Sequence, residues 1–356
     1  MEKQAKIYVA GHTGLVGSTI WKKLQLKGYS NLLGKTINEL DLRNQNDVER
    51  LFASEKPDYV FLCAAKVGGI AANNTYRADF IYDNLQIQNN LIHSAWMYGV
   101  KKLLFLGSTC IYPKNAPQPV SENFLLTAPL EYTNEPYAIA KIAGLKLCES
   151  YNLQYGTNFL SVMPTNLYGP YDNFNLETSH VLPALLRKIH LAKFLNEGMF
   201  EVIRKDLNLR PIDQIDGTAS EQLIINILNK YGITSNNVEI WGTGKPLREF
   251  LWIEDMAEAC IFVMENINFL DLVKDKKEIR NCHLNIGTGK ELSIKELASL
   301  LKTIIGFNGQ IIYNSNKPDG TYRKLTDSSK LHEFGWRHSV ELSDGVKKMY
   351  EWYLNY

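Results

Sequence analysis

Two short stretches of the sequence carry side chains that can exchange protons with a substrate. The stretch NEPYAIAKIAG places Tyr137 and Lys141 four residues apart at the beginning of a predicted helix (residues 137–155), and therefore on one helix face. A phenol has a pKa near ~10, and a nearby ammonium group stabilises its phenolate form. The pair predicts a tunable acid for a reacting oxygen, with an ordinary surface pair as the alternative.

The stretch LGSTCIYP adds a hydroxyl and a thiol. A strand is predicted over residues 102–107, and if it continues further, the side chains of Ser108 and Cys110 lie on the same face. Ser108 then lies at the end of the strand that precedes the tyrosine and the lysine. For Cys110, the alternative is a small buried apolar group.

A glycine-rich turn follows the first predicted strand. The segment AGHTGLVG places Gly11, Gly14 and Gly17 after the apolar run 7–10 and at the start of a predicted helix. Glycines there allow a tight turn and the close approach of a pyrophosphate, whose charge is held by backbone amides at the helix N-terminus. The turn predicts a dinucleotide cofactor, and a helix packed closely on a strand is the alternative.

The choice between NAD and NADP depends on the residues after the second predicted strand. No acidic residue lies plainly where the ribose of NAD requires one, and Lys35 is placed to meet the 2'-phosphate of NADP. NADP(H) is therefore the predicted cofactor, with a solvated surface lysine as the alternative for Lys35.

These residues need a framework that holds them in place. Strand-like and helix-like runs alternate through the first half of the chain, which predicts an α/β fold with a Rossmann-type doubly wound parallel sheet over residues 1–165. From residue 166 to 356 the pattern loosens. We expect a smaller C-terminal α/β lobe there that binds the substrate, with some segments returning to the main sheet.

The composition limits the partners of this chain. The 356 residues carry a formal net charge of +1, with 45% hydrophobic and 22% charged residues, which is typical of a globular protein. We expect no binding to nucleic acid or to a membrane, and a small-molecule substrate. The N-terminus enters a strand-like run without an apolar leader, which predicts a cytoplasmic location. The five cysteines are scattered, so neither a disulfide framework nor a metal site is expected.

The Ser, Tyr and Lys set on this framework resembles the extended short-chain dehydrogenase/reductase family. Within it, the chain is most similar to the enzymes that epimerise and reduce GDP-4-keto-6-deoxymannose. The motifs that carry the resemblance follow the family's order along nearly the whole chain: GHTGLVGS, AAKVGGIAANN, LLFLGSTCIYPK, TNEPYAIAKIAG, SVMPTNLYGPYDNF, SHVLPALLRK, WGTGKPLREF and KPDGTYRK.

The resemblance implies a catalytic role for five residues. In the reduction, Tyr137 protonates the C4 oxygen of the sugar, Ser108 holds that oxygen, and Lys141 binds the cofactor ribose and tunes the tyrosine. In the epimerisation, Cys110 and His180 face each other across the sugar ring and exchange the protons that the C4 ketone acidifies at C3 and C5. Cysteine suits the role of the base if neighbouring positive charge lowers its pKa from ~8.5. For His180, a helix cap or a core residue is the alternative.

The resemblance also implies two sets of binding residues. The cofactor set is Gly11, Thr13, Gly14, Leu15, Val16, Gly17, Lys35, Asp41, Leu42, Ala64, Ala65, Lys141, Pro164, Asn166, Leu167 and His180. The set for a GDP-linked 4-keto-6-deoxy-sugar is Ser108, Cys110, Asn166, Lys188, Trp241, Arg248 and Lys317. Arg187 and Arg323 are further plausible partners for a diphosphate. Family members are commonly homodimers joined through helices such as 79–98 and 137–155, and they make nucleotide sugars for surface glycans such as capsular polysaccharide.

Two features depart from the family pattern. Thr13 and Ile37 occupy positions where the family commonly has arginines that bind the 2'-phosphate. Residues 194–232 resemble an insertion between the His180 helix and the Trp241 strand, beside the predicted sugar pocket. Such a segment can be a lid, an oligomer contact or a surface elaboration. We hypothesise a substrate other than the usual hexose, such as a GDP-linked 6-deoxy-4-keto-heptose.

Three other functions stay open at this point. A C4 reductase without epimerase activity needs the same Ser, Tyr and Lys. A nucleotide-sugar 4-epimerase or 4,6-dehydratase shares the fold, but dehydratases typically have an acidic pair where this chain has Cys110 and Ile111. A non-enzymatic cofactor-binding module has no reason to carry all three catalytic residues.

Overall fold

The protein is described by a computed structural model that covers residues 1–274, 276–317 and 319–356. Pro318 of the KPDGTYRK motif lies outside the described residues. The strands are β1 (Ile7–Ala10), β2 (Leu32–Leu33), β3 (Tyr59–Leu62), β4 (Lys102–Leu106), β5 (Phe159–Pro164), β6 (Asn166–Tyr168), β7 (Asn237–Trp241), β8 (Leu247–Trp252), β9 (Leu284–Ile286), β10 (Glu291–Ser293) and β11 (Gln310–Asn314).

Helices connect almost all of these strands. They are α1 (Leu15–Leu26), α2 (Gln45–Glu55), α3 (Ile70–Thr75), α4 (Arg77–Met97), α5 (Glu135–Tyr155), α6 (Val181–Asn196), α7 (Phe200–Leu209), α8 (Glu221–Lys230), α9 (Ile253–Asn266), α10 (Phe269–Val273), α11 (Ile294–Ile305), α12 (Ser329–Glu333) and α13 (Leu342–Asn355). Short 3-10 helices span Thr109–Ile111, Glu122–Phe124 and Tyr132–Asn134.

The main sheet has the strand order β2-β1-β3-β4-β5-β9, and every neighbouring pair is parallel. In β1, Ile7 and Val9 pack into a core with α1 and α9, whereas Tyr8 and Ala10 pack into a second core with α2, α4 and α5. Because both faces are covered, the strands are nearly continuous apolar runs. This arrangement confirms the predicted doubly wound α/β fold, and β9 joins it from the second half of the chain.

The second half of the chain also forms its own small sheets and core. Strands β10, β8 and β6 make a three-stranded sheet, and β11 pairs with β7 in parallel. Helices α6, α7, α8, α11 and α13 enclose the associated core. No helix in the described part of the chain is long and apolar enough to cross a membrane.

The end of β4 differs from the prediction. The strand stops at Leu106, and residues Thr109–Ile111 form a 3-10 helix. The cause is local: the backbone N–H of Cys110 donates to the Ser108 hydroxyl oxygen at 3.3 Å, which replaces an extended conformation by a turn. The expectation that Ser108 and Cys110 share a strand face is therefore wrong, although the turn still keeps the two residues adjacent.

Candidate active site

The glycine turn forms a close-fitting cradle at the ends of β1 and β3. Gly11 has φ +84°, and a Cβ on it would lie 2.8 Å from the backbone nitrogen of Ala64. A Cβ on Gly17 would collide with the carbonyl oxygen of Gly11, so helix α1 packs directly on the turn. The first turn of α1 contains Leu15 and Val16 and no acidic residue, and its amides have no partners within the helix. A pyrophosphate therefore fits here.

The residues predicted around the cofactor ribose are partly engaged with each other. Lys35 lies 3.9 Å from the Glu39 carboxylate and is the cation nearest to the end of β2 along the chain. Asp41 accepts hydrogen bonds from the backbone N–H and the guanidinium group of Arg43, which sequence analysis did not single out. These contacts leave Lys35 as the candidate for a 2'-phosphate, since Thr13 is exposed and uncharged.

Other members of the predicted cofactor set line the neighbouring strand ends. Ala64 and Ala65 follow the end of β3 after one intervening residue, and Pro164 ends β5. Asn166 and Leu167 lie in β6, and Leu42 belongs to the loop before α2, where its carbonyl accepts a bond from Asn90. The carboxyl ends of parallel strands are where ligands bind in open α/β sheets. The fold thus collects these residues at one edge.

The catalytic lysine is buried beneath the end of β4. The ammonium of Lys141 donates to the carbonyl oxygen of Leu106 at 2.8 Å, and burial lowers the pKa of Lys141 to about 8. The same nitrogen lies 5.7 Å from the centre of the Tyr137 ring. Helix α5 therefore places both side chains next to the strand end that leads to Ser108, as the spacing predicts.

The pKa of the tyrosine differs from the prediction. Burial raises the pKa of Tyr137, and the neighbouring Cys110 raises it further. In the protein alone, the effect of burial on the phenol therefore outweighs the expected stabilisation of a phenolate by Lys141. Tyr137 is protonated at neutral pH.

Cys110 and His180 have opposite pKa shifts. Burial raises the pKa of the Cys110 thiol despite the nearby charges of Lys324 and Lys141, so the predicted thiolate-favouring environment is not found. Partial desolvation lowers the pKa of His180, and the charge of Lys324 lowers it further. His180 begins helix α6, but its exposed side chain makes no capping bond. At neutral pH the pair is a thiol and a neutral imidazole.

Lys324 connects these two groups and was missed by the sequence analysis. It interacts electrostatically with both Cys110 and His180. The only signal in the sequence is its place at the end of the KPDGTYRK motif, from which Lys317 and Arg323 were selected instead. Arg323 is engaged by the Glu291 carboxylate at 2.7 Å, which does not favour its predicted diphosphate role.

A second missed residue, Glu249, holds the loops around Lys324. Its fully buried carboxylate accepts the N–H groups of Thr288, Gly289 and Thr326, at 2.5, 2.7 and 2.9 Å. Its backbone carbonyl accepts from the Asn166 side chain at 2.8 Å. One residue of β8 thus fixes the loop after β9, the segment after Lys324 and the predicted ligand Asn166.

The predicted substrate residues other than Ser108 and Cys110 lie on the smaller sheets or on segments next to them. Trp241 is 59% exposed at the end of β7, and the Lys317 ammonium lies 5.1 Å from the centre of its ring. The Lys188 ammonium donates to the Glu239 carbonyl at 3.1 Å, and burial lowers its pKa to about 8. Arg248 is close enough to Lys324 for their charges to repel each other. A ring face and several cations are thus available to a nucleotide diphosphate.

Arg187 does not belong to this set. It is fully buried and pairs with Asp206 of helix α7 at 2.8 Å, so its predicted contact with a diphosphate is wrong. Residues 194–232, which the sequence analysis interprets as an insertion and which are called the insertion below, contain α7 and α8. Among the described residues that line the cavity of about 40 Å³ beside Cys110, none comes from this segment. The insertion therefore does not shape that cavity.

The chain belongs to the NAD dependent epimerase/dehydratase family, whose model matches residues 7–211 and 210–287. Its similarity to individual members extends over nearly the whole length. The GDP-L-fucose synthase of Escherichia coli (strain K12) is 46% identical over 354 residues, which are 99% of this chain and 98% of that protein. GDP-L-fucose synthase 1 of Arabidopsis thaliana is 53% identical over 353 residues, with 99% and 94% covered.

Solved structures give a matching result. A GDP-6-OMe-4-keto-L-xylo-heptose reductase from C. jejuni is 49% identical and has a TM-score of 0.93, with 100% of this chain and 99% of that one covered. A GDP-mannoheptose C4 reductase from Campylobacter jejuni with NADP bound is 48% identical and has a TM-score of 0.88, with 99% of both chains covered. These similarities confirm the family that the sequence motifs indicate.

Proposed function

We propose that this protein reduces the C4 ketone of a GDP-linked 4-keto-6-deoxy-sugar with NADPH and also epimerises C3 and C5. The observation that carries the proposal is the placement of Ser108, Cys110, Tyr137 and Lys141 around the end of β4, with Lys324 close enough to Cys110 and His180 to affect both. The similarity to GDP-L-fucose synthases and to GDP-heptose reductases supports it.

In the reductive step, NADPH would supply the hydride that C4 receives. Tyr137 donates a proton to the C4 oxygen, and its raised pKa keeps that proton on the phenol until it is needed. The Ser108 oxygen accepts the Cys110 N–H, so its own hydrogen is available to the same C4 oxygen. Lys141 is the nearby positive charge that stabilises the phenolate once the proton has left.

In the epimerisation, the pKa shifts favour a division of roles. His180 is neutral and is the base that removes a ring proton, and Cys110 is a thiol and is the acid that reprotonates the opposite face. Lys324 carries the charge that stabilises the enolate between these two steps. This assignment reverses the sequence-based expectation that Cys110 is the base, because burial outweighs the nearby lysines.

The residues at the sheet edge would hold the cofactor. The cradle of Gly11, Gly14 and Gly17 takes the pyrophosphate on the amides of α1, and Lys35 takes the 2'-phosphate. Lys141 binds the nicotinamide ribose. NADP in a GDP-mannoheptose C4 reductase of similar structure supports this choice over NAD.

The sugar is either a hexose or a heptose. The named relatives include both GDP-L-fucose synthases and reductases of GDP-heptoses, so both sugars are candidates.

We further propose a homodimer, because α4 exposes Tyr82 and Met97 and α5 exposes Leu153 and Tyr155. We place the reaction in the cytoplasm, where nucleotide sugars for surface glycans such as capsular polysaccharide would be made.

The test of this proposal locates the transferred hydride in the product. NADPH that carries deuterium at the transferred position is incubated with GDP-4-keto-6-deoxymannose and, separately, with its heptose homologue. Product NMR should show deuterium at C4 for at least one sugar, and Tyr137→Phe should lower kcat by about 10²–10⁴-fold because it removes the acid. The absence of deuterium at C4 with both sugars would contradict the proposal.

A further inference from the structure

The inserted segment contacts the loop that leads to His180. This loop, residues 169–180, connects β6 to α6 and carries His180 at its last position. It is called the His180 loop below. We propose that the insertion is a clamp that fixes the His180 loop, with Asp206 and Tyr231 as positioning residues for the imidazole.

The buried end of the clamp holds Phe174. Arg187 donates to the carbonyl oxygen of Phe174 at 3.2 Å and to the carboxylate of Asp206 at 2.8 Å. A fully buried guanidinium is strongly unfavourable without a carboxylate partner, and α7 of the insertion supplies this one. The Phe174 ring packs on Tyr353 at 4.7 Å, and Tyr353 donates to Asp206 as well. The middle of the His180 loop therefore depends on a charge that the insertion carries.

The exposed end of the clamp holds Glu177, three residues before His180. The Tyr231 hydroxyl, directly after α8, lies 2.8 Å from a carboxylate oxygen of Glu177 and 2.8 Å from one of Asp213. Asp213 also accepts from Lys230 at 2.6 Å, so it has a partner of its own. Among the described residues, the Glu177 carboxylate makes its only hydrogen bond to this phenol.

The opposite side of the His180 loop rests on the nucleotide-binding half of the chain. The backbone N–H of Gly69 donates to the carbonyl oxygen of Thr178 at 3.3 Å. A Cβ on Gly69 would lie 3.2 Å from that oxygen, so the two segments are in close contact. Inside the loop, the Asn175 side chain accepts from the N–H groups of Glu177 and Thr178. The loop is thus held between Gly69 and the insertion.

This arrangement gives the insertion a role in proton transfer. His180 must reach a ring carbon from one side while Cys110 reaches it from the other, and a misplacement of about 1 Å is enough to slow such a step strongly. The reduction at C4 uses Ser108, Tyr137 and Lys141, and none of these hydrogen-bonds to the His180 loop in the part of the chain that the structure describes. The inference rests on the proposed function in one respect, which is that His180 exchanges a ring proton.

The test compares Tyr231→Phe, Glu177→Ala and the double variant with the wild type. Tyr59→Phe is the matched control, because the Tyr59 hydroxyl also donates to a carboxylate, that of Glu2 at 2.6 Å, away from the His180 loop. The first measurement is amide hydrogen exchange of residues 172–180. The second is the ratio of deuterium incorporated at C3 and C5 to reduction at C4 in deuterated water.

We expect faster amide exchange and a ratio lowered about threefold to tenfold in Tyr231→Phe, the range that one net hydrogen bond supports. The double variant should add little to either single variant, because both remove the same contact. The control should match the wild type.

The outcomes separate this inference from the proposed function. Unchanged amide exchange in Tyr231→Phe overturns the clamp whether or not the protein is a reductase. Faster exchange with an unchanged ratio overturns the role in proton transfer. A wild type that reduces C4 without incorporating deuterium also overturns that role, while leaving C4 reduction intact. If the wild type reduces neither sugar, the proposed function is wrong. The amide hydrogen exchange of residues 172–180 then tests the clamp by itself.

Discussion

Replacing the catalytic lysine should stabilise the fold at neutral pH. Burial lowers the pKa of Lys141 from 10.5 to about 8. Since a difference of 1 in pKa corresponds to about 1.36 kcal/mol, keeping the ammonium charged in the folded state costs about 3 kcal/mol at pH 7. Lys141→Met removes this cost but also removes the bond to the Leu106 carbonyl, which is worth about 1–2 kcal/mol. We expect a net stabilisation of about 1–2 kcal/mol.

The pH dependence gives the sharper form of this prediction. A lysine with a lowered folded pKa destabilises the protein fully below that pKa, and the penalty fades as the pH rises towards the unfolded value. Between pH 7 and 9.5 the penalty falls by about 2 kcal/mol, so the advantage of Lys141→Met should disappear at the higher pH. Urea unfolding followed by tryptophan fluorescence at both pH values measures the difference.

A second buried lysine supplies the control. Lys102 donates to the carbonyl oxygens of Val263 and Met264, and burial lowers its pKa to about 8 as well. Lys102→Met should therefore show the same pH trend in stability but retain turnover, whereas Lys141→Met loses turnover. If Lys141→Met were less stable than the wild type at pH 7, or if its stability difference did not change with pH, the assignment of a desolvated ammonium would be refuted.

Three further results are expected. Because burial raises the pKa of Cys110, iodoacetamide should alkylate this thiol at pH 7.5 at least tenfold more slowly than a free thiol. Lys324→Met should slow the alkylation further. Peptide mass spectrometry measures the rate, and fast alkylation would count against the thiol form. Lys35→Ala should weaken NADPH binding about tenfold and leave NADH binding unchanged in fluorescence titrations, whereas equal losses would exclude a 2'-phosphate contact. Gly11→Ala should weaken NADPH binding about tenfold or more and lower Tm, since its Cβ would lie 2.8 Å from the Ala64 nitrogen; unchanged affinity would argue against the cradle.

The sequence predicts the features that depend on local pattern. The alternation of apolar strands and helices places the parallel sheet correctly, and the spacing of Tyr137 and Lys141 puts them on one helix near the end of β4. The local pattern does not predict the turn at Ser108. This turn depends on the Ser108 hydroxyl oxygen, which accepts a hydrogen bond from the N–H of Cys110 and ends the strand early.

Other features depend on partners that are distant in the sequence. Arg187 has the composition and position of an anion-binding residue, but Asp206 on the inserted helix α7 neutralises it in the interior. The pKa directions of Cys110 and Tyr137 follow from burial, which exceeds the effect of nearby lysines and has no signature in residue spacing. Lys324 affects Cys110 because the loop that carries it folds beside that residue, and this position is not visible in the sequence.

The measurement that tests the central claim most directly is product NMR after turnover in deuterated water with NADPH and a GDP-4-keto-6-deoxy-sugar. The account predicts reduction at C4 with deuterium and inversion at C3 and C5 for the wild type. Cys110→Ala should incorporate deuterium without inversion, because His180 then removes and returns the proton on one face. His180→Gln should reduce C4 without incorporating deuterium. Reduction by the wild type without deuterium at either carbon, or full incorporation by His180→Gln, would contradict the account.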